Sequence, residues 1–274
     1  MPDSTDVRYR ATIEYDGSGF AGYQIQPAAR TVQGTIESRL ARLLTRKVRV
    51  HAAGRTDAGV HAVGQEISFE APARWTPDDL FRSLSALLPD DVSIRRLRPS
   101  SADFHPRFDA TGRRYEYFVG PPRTGPLRRD RVWATTDVPD WTLLSEAASL
   151  LVGPGSFEAL SKAGQPELGT ECSIELAEWT RTPLGDLRFT IVADRFLHRM
   201  VRYIVGTMVE VGAGRRDLAG WTALLRNGCA RPPEPAPAGA LYLTGVRYPD
   251  GWNREPGVPG LWPIGADETT TESV

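Results

Sequence analysis

Lysine is nearly missing from this chain. Only Lys47 and Lys162 stand among 33 basic residues, and the rest are arginine. Cysteine is just as scarce: Cys172 and Cys229 lie far apart, with no CxxC pair and no histidine near either. That spacing argues against a thiolate zinc site and against a disulfide framework, and it fits reduced thiols in a cytoplasmic protein. No run approaches the ~20 apolar residues of a membrane-spanning helix. The opening stretch, MPDSTDVRYR, has no apolar core and does not read as a secretory leader. Excess charge of one sign is absent too. The formal net charge is −1 over 274 residues, so bulk charge does not announce a nucleic-acid partner.

What is there is the composition of a soluble globular protein, with 41% hydrophobic and 24% charged residues. The length suits one large domain or two ordinary ones. The arginine excess has two readings. A GC-rich genome favours arginine codons, and a phosphate- and base-binding surface favours its planar fork. Composition does not separate them; local clustering does.

Periodicity and capping give an element order. Residues 8–15 read as a strand, and Thr31 as the N-cap of a helix over VQGTIESRLARLLTR. Strands are expected at 47–53, 65–71 and 91–98, with a helix from Thr76-Pro77 to Leu88 between the last two. That is strand, helix, strand, strand, helix, strand, the ferredoxin-like order. The second half repeats it. Strand 113–120, helix 141–153, two strands joined by PLG, helix 196–212 and strand 240–249 follow in turn. The expected fold is α+β: two ferredoxin-like halves joined into a central antiparallel sheet flanked by helices, with a basic cleft between them. The expected division is 1–107, 108–250 and a Pro/Gly-rich, then acidic, tail over 251–274 that should be loosely ordered. The Pro-rich stretch 230–239 should be a rigid connector.

Three stretches carry chemistry. AGRTDAGVHA (53–62) sets a lone acid, Asp57, in a glycine-bounded turn with Arg55 two residues before it. A surface turn accounts for such residues; so does a catalytic carboxylate on a strand-to-loop corner. On the helix expected at 196–212, a wheel puts Arg195, His198, Arg199, Arg202 and Gly206 on one narrow stripe opposite a broad apolar side. A helix so apolar should be largely buried, and a buried arginine must meet an anion. Asp57 is a candidate anion for Arg202, either as a structural ion pair or as a carboxylate kept charged for reaction. Finally, FHPRFDATGRRYEYFV (104–119) interleaves aromatics with Arg107, Arg113 and Arg114. It fits a base-stacking, backbone-gripping surface, and it equally fits an amphipathic strand with tyrosine in the core.

Taken together, EYDGSGFAGYQIQP, RTVQGTIE, AGRTDAGVHAVGQ, DFHPRFDATGRRYEYF, FLHRMVRYIVGTMVEVG and GALYLTGVRYP resemble the tRNA pseudouridine synthase A family, in the family's order and across residues 14–249. The resemblance implies an isomerase that turns uridine into pseudouridine at positions 38–40 of the tRNA anticodon arm. It also implies a homodimer with no cofactor, beside the cytoplasmic, metal-free protein that the cysteine pattern suggests. It assigns Asp57 as the catalytic aspartate, Tyr115 as the active-site tyrosine, Arg202 as the aspartate's basic partner and Arg55 as the residue that helps expel the target nucleotide. Arg107, Arg113, Arg114, His198 and Arg199, with Arg195 beside them, are the expected RNA contacts. Tyr23 stands where the family usually has tryptophan, Tyr203 where it has asparagine, and Ala240 replaces glycine in GLYL. A non-catalytic tRNA binder and a uracil-releasing N-glycoside hydrolase are the alternatives. The hydrolase would need a second carboxylate, such as Asp16 or Glu66.

Overall fold

The computed structural model describes residues 6–122, 125–126, 128–136, 139–162, 169–227 and 234–253. The first half runs β1 (Asp6–Tyr15), α1 (Val32–Leu44), β2 (His51–Ala52), β3 (His61–Pro72), α2 (Pro77–Leu87) and β4 (Val92–Pro99). The second runs β5 (Gly112–Gly120), β6 (Trp133–Ala134), α3 (Trp141–Ser149), β7 (Gly153–Ser156), β8 (Glu171–Arg181), β9 (Leu187–Ala193), α4 (Met200–Gly212), α5 (Leu218–Asn227), β10 (Leu241–Tyr248) and β11 (Gly251–Trp252).

One sheet takes all the strands, in the order β4-β1-β3-β10-β5-β9-β8-β7, with β2 on β3, β6 on β5 and β11 on β10. Pairing is antiparallel except at two places, β5 with β6 and β10 with β3. Each half has its last strand beside its first and its third on the other side, the ferredoxin-like order anticipated above. β10 joins them: the final long strand of the second half lies directly against β3 of the first, with Tyr242 opposite His61 and Leu243 opposite Ala62.

Local chemistry explains the elements. Thr31 Oγ1 accepts from Gly34 N at 3.3 Å, and Ile36, Leu40 and Leu44 of α1 are buried. Thr76 Oγ1 accepts from Asp79 N at 3.1 Å, with Pro77 opening α2. Every residue of α4 except Arg202 and Tyr203 is buried, which the width of its apolar side foretold. No described helix is long and apolar enough to cross a membrane.

Several expectations need correction. The strand over 47–53 shrinks to His51–Ala52, because Val50 spends its N–H on Glu37 Oε1 (3.0 Å) and its carbonyl on Gln33 Nε2 (3.2 Å), both on α1. The helix at 141–153 stops at Ser149, and Gly153, at φ 114°, turns the chain into β7. α5 was not anticipated. The helix expected from 196 starts at Met200. Lys162 N bonds His198 O (2.9 Å) and Arg199 adopts φ 63°, so residues 195–199 form a bend rather than a helical stripe. The loosely ordered tail does not begin at Gly251. Gly251–Trp252 pair with β10, and buried Asn253 accepts from Val246 N (2.8 Å) and donates to Gly64 O (3.2 Å) and Glu66 Oε2 (2.6 Å). Residues 254–274 and part of the Pro-rich connector lie outside the described residues.

Candidate active site

Asp57 sits in the turn between β2 and β3. Two features fix that turn. Val60 N closes on Asp57 O at 3.2 Å, with Gly59 at φ 80°. The glycine-rich loop after β1 then packs against it. Tyr23 N donates to Thr56 O (3.0 Å), and Tyr15 Oη lies 2.8 Å from Thr56 Oγ1. A Cβ on Gly17 would come within 2.1 Å of Val60 O, so only glycine allows this approach.

The Asp57 carboxylate faces the α4 end of the second half. Arg202 Nη1 donates to Oδ2 at 2.9 Å, and Arg199 Nε lies 3.9 Å from the same oxygen. His198 Nε2 is 3.3 Å from Oδ1. The carboxylate is therefore ringed by cationic or potentially cationic groups. It is not sealed away: its side chain keeps 18% of its surface open to solvent. Arg202 is itself anchored, since Nε donates to Ala236 O (2.7 Å) and Ala236 N donates to Arg202 O (2.9 Å). The strap 234–237 thus holds the guanidinium toward Asp57, and it lies so close to α4 that a Cβ on Gly206 would be 2.2 Å from Glu234 O.

Tyr115 is buried on β5, edge-on to Phe196 with ring centroids 5.1 Å apart. Burial, then Tyr15, then the Asp57 charge push its hydroxyl well above the usual tyrosine range, so the phenol is protonated. Arg55 is exposed on the Asp57 turn. Burial first and the Arg107 charge second lower its guanidinium from the usual value.

The other expected RNA contacts separate. Arg199 and His198 join Asp57, through the bend and not through a helix face. Arg195 N bonds Asp194 Oδ1 (2.7 Å) and its guanidinium donates to Gly169 O (3.3 Å). Arg113 donates to four carbonyls, those of Ala53, Arg107, Ala110 and Asp194, at 2.7 to 3.1 Å, through both of its terminal nitrogens. Arg114 points to the opposite face of the sheet from Tyr115 and pairs with the fully buried Glu116 at 3.2 Å.

Sequence reasoning missed the cluster beneath the turn. His61, buried and stacked 4.7 Å from the Tyr242 ring, has Nδ1 3.1 Å from Asp16 Oδ1 and Nε2 3.0 Å from Gly239 O. Arg131 Nη2 donates to Asp16 Oδ2 at 2.6 Å. The group ties the first-half loops to the second half. Its members lie too far apart in the chain for spacing to reveal it. Among the described residues no group of three His, Cys, Asp or Glu is placed to hold a metal. Cys172 is buried and its thiol pushed up to about 11, chiefly by that burial; Cys229 lies outside the described residues.

A family model described as tRNA pseudouridine synthase matches residues 11–109 and 147–249. The chain belongs to that family. Its relatives include proteins named tRNA pseudouridine synthase A from Chlorobium luteolum, 39% identical over 88% of this chain and 95% of that one, and from Geobacillus kaustophilus, 39% identical over 89% and 95%. One from Neisseria gonorrhoeae is 38% identical over 91% and 95%. The two stretches matched by the family model cover the Asp57 turn and α4. β5, with Tyr115, falls between them.

Pseudouridine synthases are isomerases: uridine becomes its C-glycoside with no net redox change and no external group acceptor. The C1′–N1 bond breaks, the uracil turns, C1′ joins C5, and the C5 proton leaves. Tyr115 on β5 lies across Leu243 of β10 from Ala62 of β3, the strand that leaves the Asp57 turn.

Proposed function

We propose that this enzyme converts uridine to pseudouridine at positions 38, 39 and 40 of the tRNA anticodon arm, acting as a homodimer in the cytoplasm. Asp57 is the reacting group, either adding to C1′ or removing the C2′ proton; both roles require the ionised carboxylate. The observation that carries the reading is the 2.9 Å contact from Arg202 to an Asp57 that still reaches solvent. Arg202 keeps the charge in place, Tyr115 packs on the detached uracil and limits its escape, and Arg55 fills the gap left in the RNA stack. Extruding the base costs a few kcal/mol, and Arg55, exposed on the turn that carries Asp57, is suited to offset part of that. Residues 1–107 supply the acid and 108–250 the tyrosine and the arginine.

The hydrolase alternative is weakened by the two acids it could use. Asp16 has both oxygens engaged by Ser18, His61 and Arg131. Glu66 is buried and occupied by Arg10, Thr12 and Asn253. A pure binder would not need a solvent-reaching acid held by an arginine from the other half. The test is to incubate the protein with tRNA carrying uridine at 38, 39 and 40, digest to nucleosides and map the modified positions. Pseudouridine at those positions supports the proposal. Unchanged uridine or free uracil contradicts it. Sedimentation equilibrium should return twice the 30.1 kDa chain mass.

A further inference from the structure

Phe108 presents a ring that is 76% exposed. An apolar side chain on a loose loop would need no explanation, but this loop is tightly fastened. Tyr248 Oη donates to Pro106 O (2.8 Å), and Arg113 donates to Arg107 O (2.7 Å) and Ala110 O (3.0 Å). Asp109 Oδ2 accepts from His105 N (2.9 Å), and Asp109 N donates to His105 O (3.1 Å). His105 Nδ1 accepts from the backbone N–H of Arg107 (3.2 Å) and Phe108 (3.4 Å), while its imidazole lies 4.3 Å from the Phe108 ring, inclined by 32°. Burial first, then His51, lower His105 from its usual value, which suits a ring nitrogen that must accept. The aromatic ring is held out toward solvent by a built support.

The support is joined to the reacting centre. Arg113 Nη2, which bonds Arg107 O, also donates to Ala53 O (3.1 Å) in the AGRTDAGVHA stretch. Arg107 Cζ lies 5.8 Å from the Phe108 ring centroid, and Arg55 feels the Arg107 charge. Among the described residues neither Arg55 nor Arg107 has a carboxylate partner. An unneutralised guanidinium beside an exposed ring, with a second one on the Asp57 turn, calls for a partner with anionic groups and flat π faces. A second protein copy of the same surface would bring like charges together.

We propose that Phe108, backed by His105 and flanked by Arg107, with Arg55 on the Asp57 turn, is a stacking platform for an unpaired base next to the extruded nucleotide, with the guanidiniums on its flanking phosphates. This rests on the RNA-modifying reading above and adds a subsite to it. The experiment measures binding of a fluorescently labelled anticodon stem-loop RNA by anisotropy at one fixed salt concentration, for wild type, Phe108→Ala, Phe108→Leu and Phe108→Trp. Loss of a base stack should weaken the Ala and Leu proteins by about 5- to 150-fold. The Trp protein should bind at least as tightly as wild type. Because the ring is exposed, all three should melt as wild type does; if the Ala protein fails to fold, the Leu and Trp pair carries the comparison. Leu binding as tightly as Trp overturns the platform. So does a halved sedimenting mass for Phe108→Leu, since the ring would then belong to a contact between copies. If wild type forms pseudouridine while Phe108→Leu binds normally, only the platform fails. If wild type forms none, the reading beneath it fails.

Discussion

Asp57 depends on residues it meets only after folding. Arg202 is 145 positions away, and its guanidinium has two tasks: Nη1 holds the carboxylate and Nε holds the strap at Ala236. Charge-assisted hydrogen bonds of this type contribute about 1.5–3 kcal/mol. Arg202→Ala should therefore lower kcat by about 10- to 150-fold with a small change in KM, read by steady-state kinetics on tRNA. A raised KM with unchanged kcat would assign Arg202 to binding instead. This pairing could be anticipated from sequence, because a buried arginine on a broadly apolar helix must find an anion and the Asp57 turn offered one. The separate fates of Arg113 and Arg114 could not. Adjacent residues on a strand face opposite ways, yet which partners each face meets depends on how the neighbouring elements pack, and no local pattern states that.

At the scale of elements, capping and periodicity located α1, α2 and β5 closely, since each carries its own signals. They overextended the arginine helix. Phe196 and Leu197 continue the apolar period, but the carbonyl of His198 is taken by Lys162 and Arg199 turns left-handed. Tertiary hydrogen bonds outweighed the pattern, and the bend they produce is what brings His198 and Arg199 to Asp57. The strap and α4 form the second element pair on which the site depends. Gly206→Ala would drive a methyl group against Glu234 O, 2.2 Å from its ideal position. Overpacking of this kind costs about 1–3 kcal/mol. A lower Tm by calorimetry and a loss of turnover, with Asp57 and Arg202 both intact, are the expected results. By contrast, a Cβ on Gly54 meets nothing within 4 Å, so Gly54→Ala should melt like wild type.

Across the whole molecule, two joints stand out among the contacts between the halves. One is the β10–β3 pairing, which completes the single sheet. The other is the cluster of Asp16, His61 and Arg131, which fastens the loops under Asp57 to the segments around Asp130 and Gly239. The ferredoxin-like order of each half was legible from alternating strands and helices. That the last long strand would return to join the first half was not, because parallel pairing leaves no mark on local periodicity. The cluster has a pH signature. His61, foremost among several contacts, holds the Asp16 carboxyl far below its usual 3.8. A depressed folded-state value means the unfolded chain binds the proton more readily. The stability Asp16 contributes is therefore complete above about pH 4 and is lost as pH falls below it. Thermal melts from pH 3 to 7 should show Asp16→Asn less stable than wild type at neutral pH, with the gap narrowing toward pH 3. A constant gap would remove Asp16 from the acid limb.

The central claim is that a charged oxygen on residue 57 reacts at the sugar of an extruded uridine. Asp57→Asn keeps the size and removes the charge. The most direct measurement follows tritium release from tRNA labelled at uracil C5, in single turnover, beside RNA binding by the same protein. The account predicts that Asp57→Asn binds the tRNA as wild type does and releases no tritium above background. Release at a rate within about tenfold of wild type, a difference of only ~1.4 kcal/mol in barrier, would contradict it.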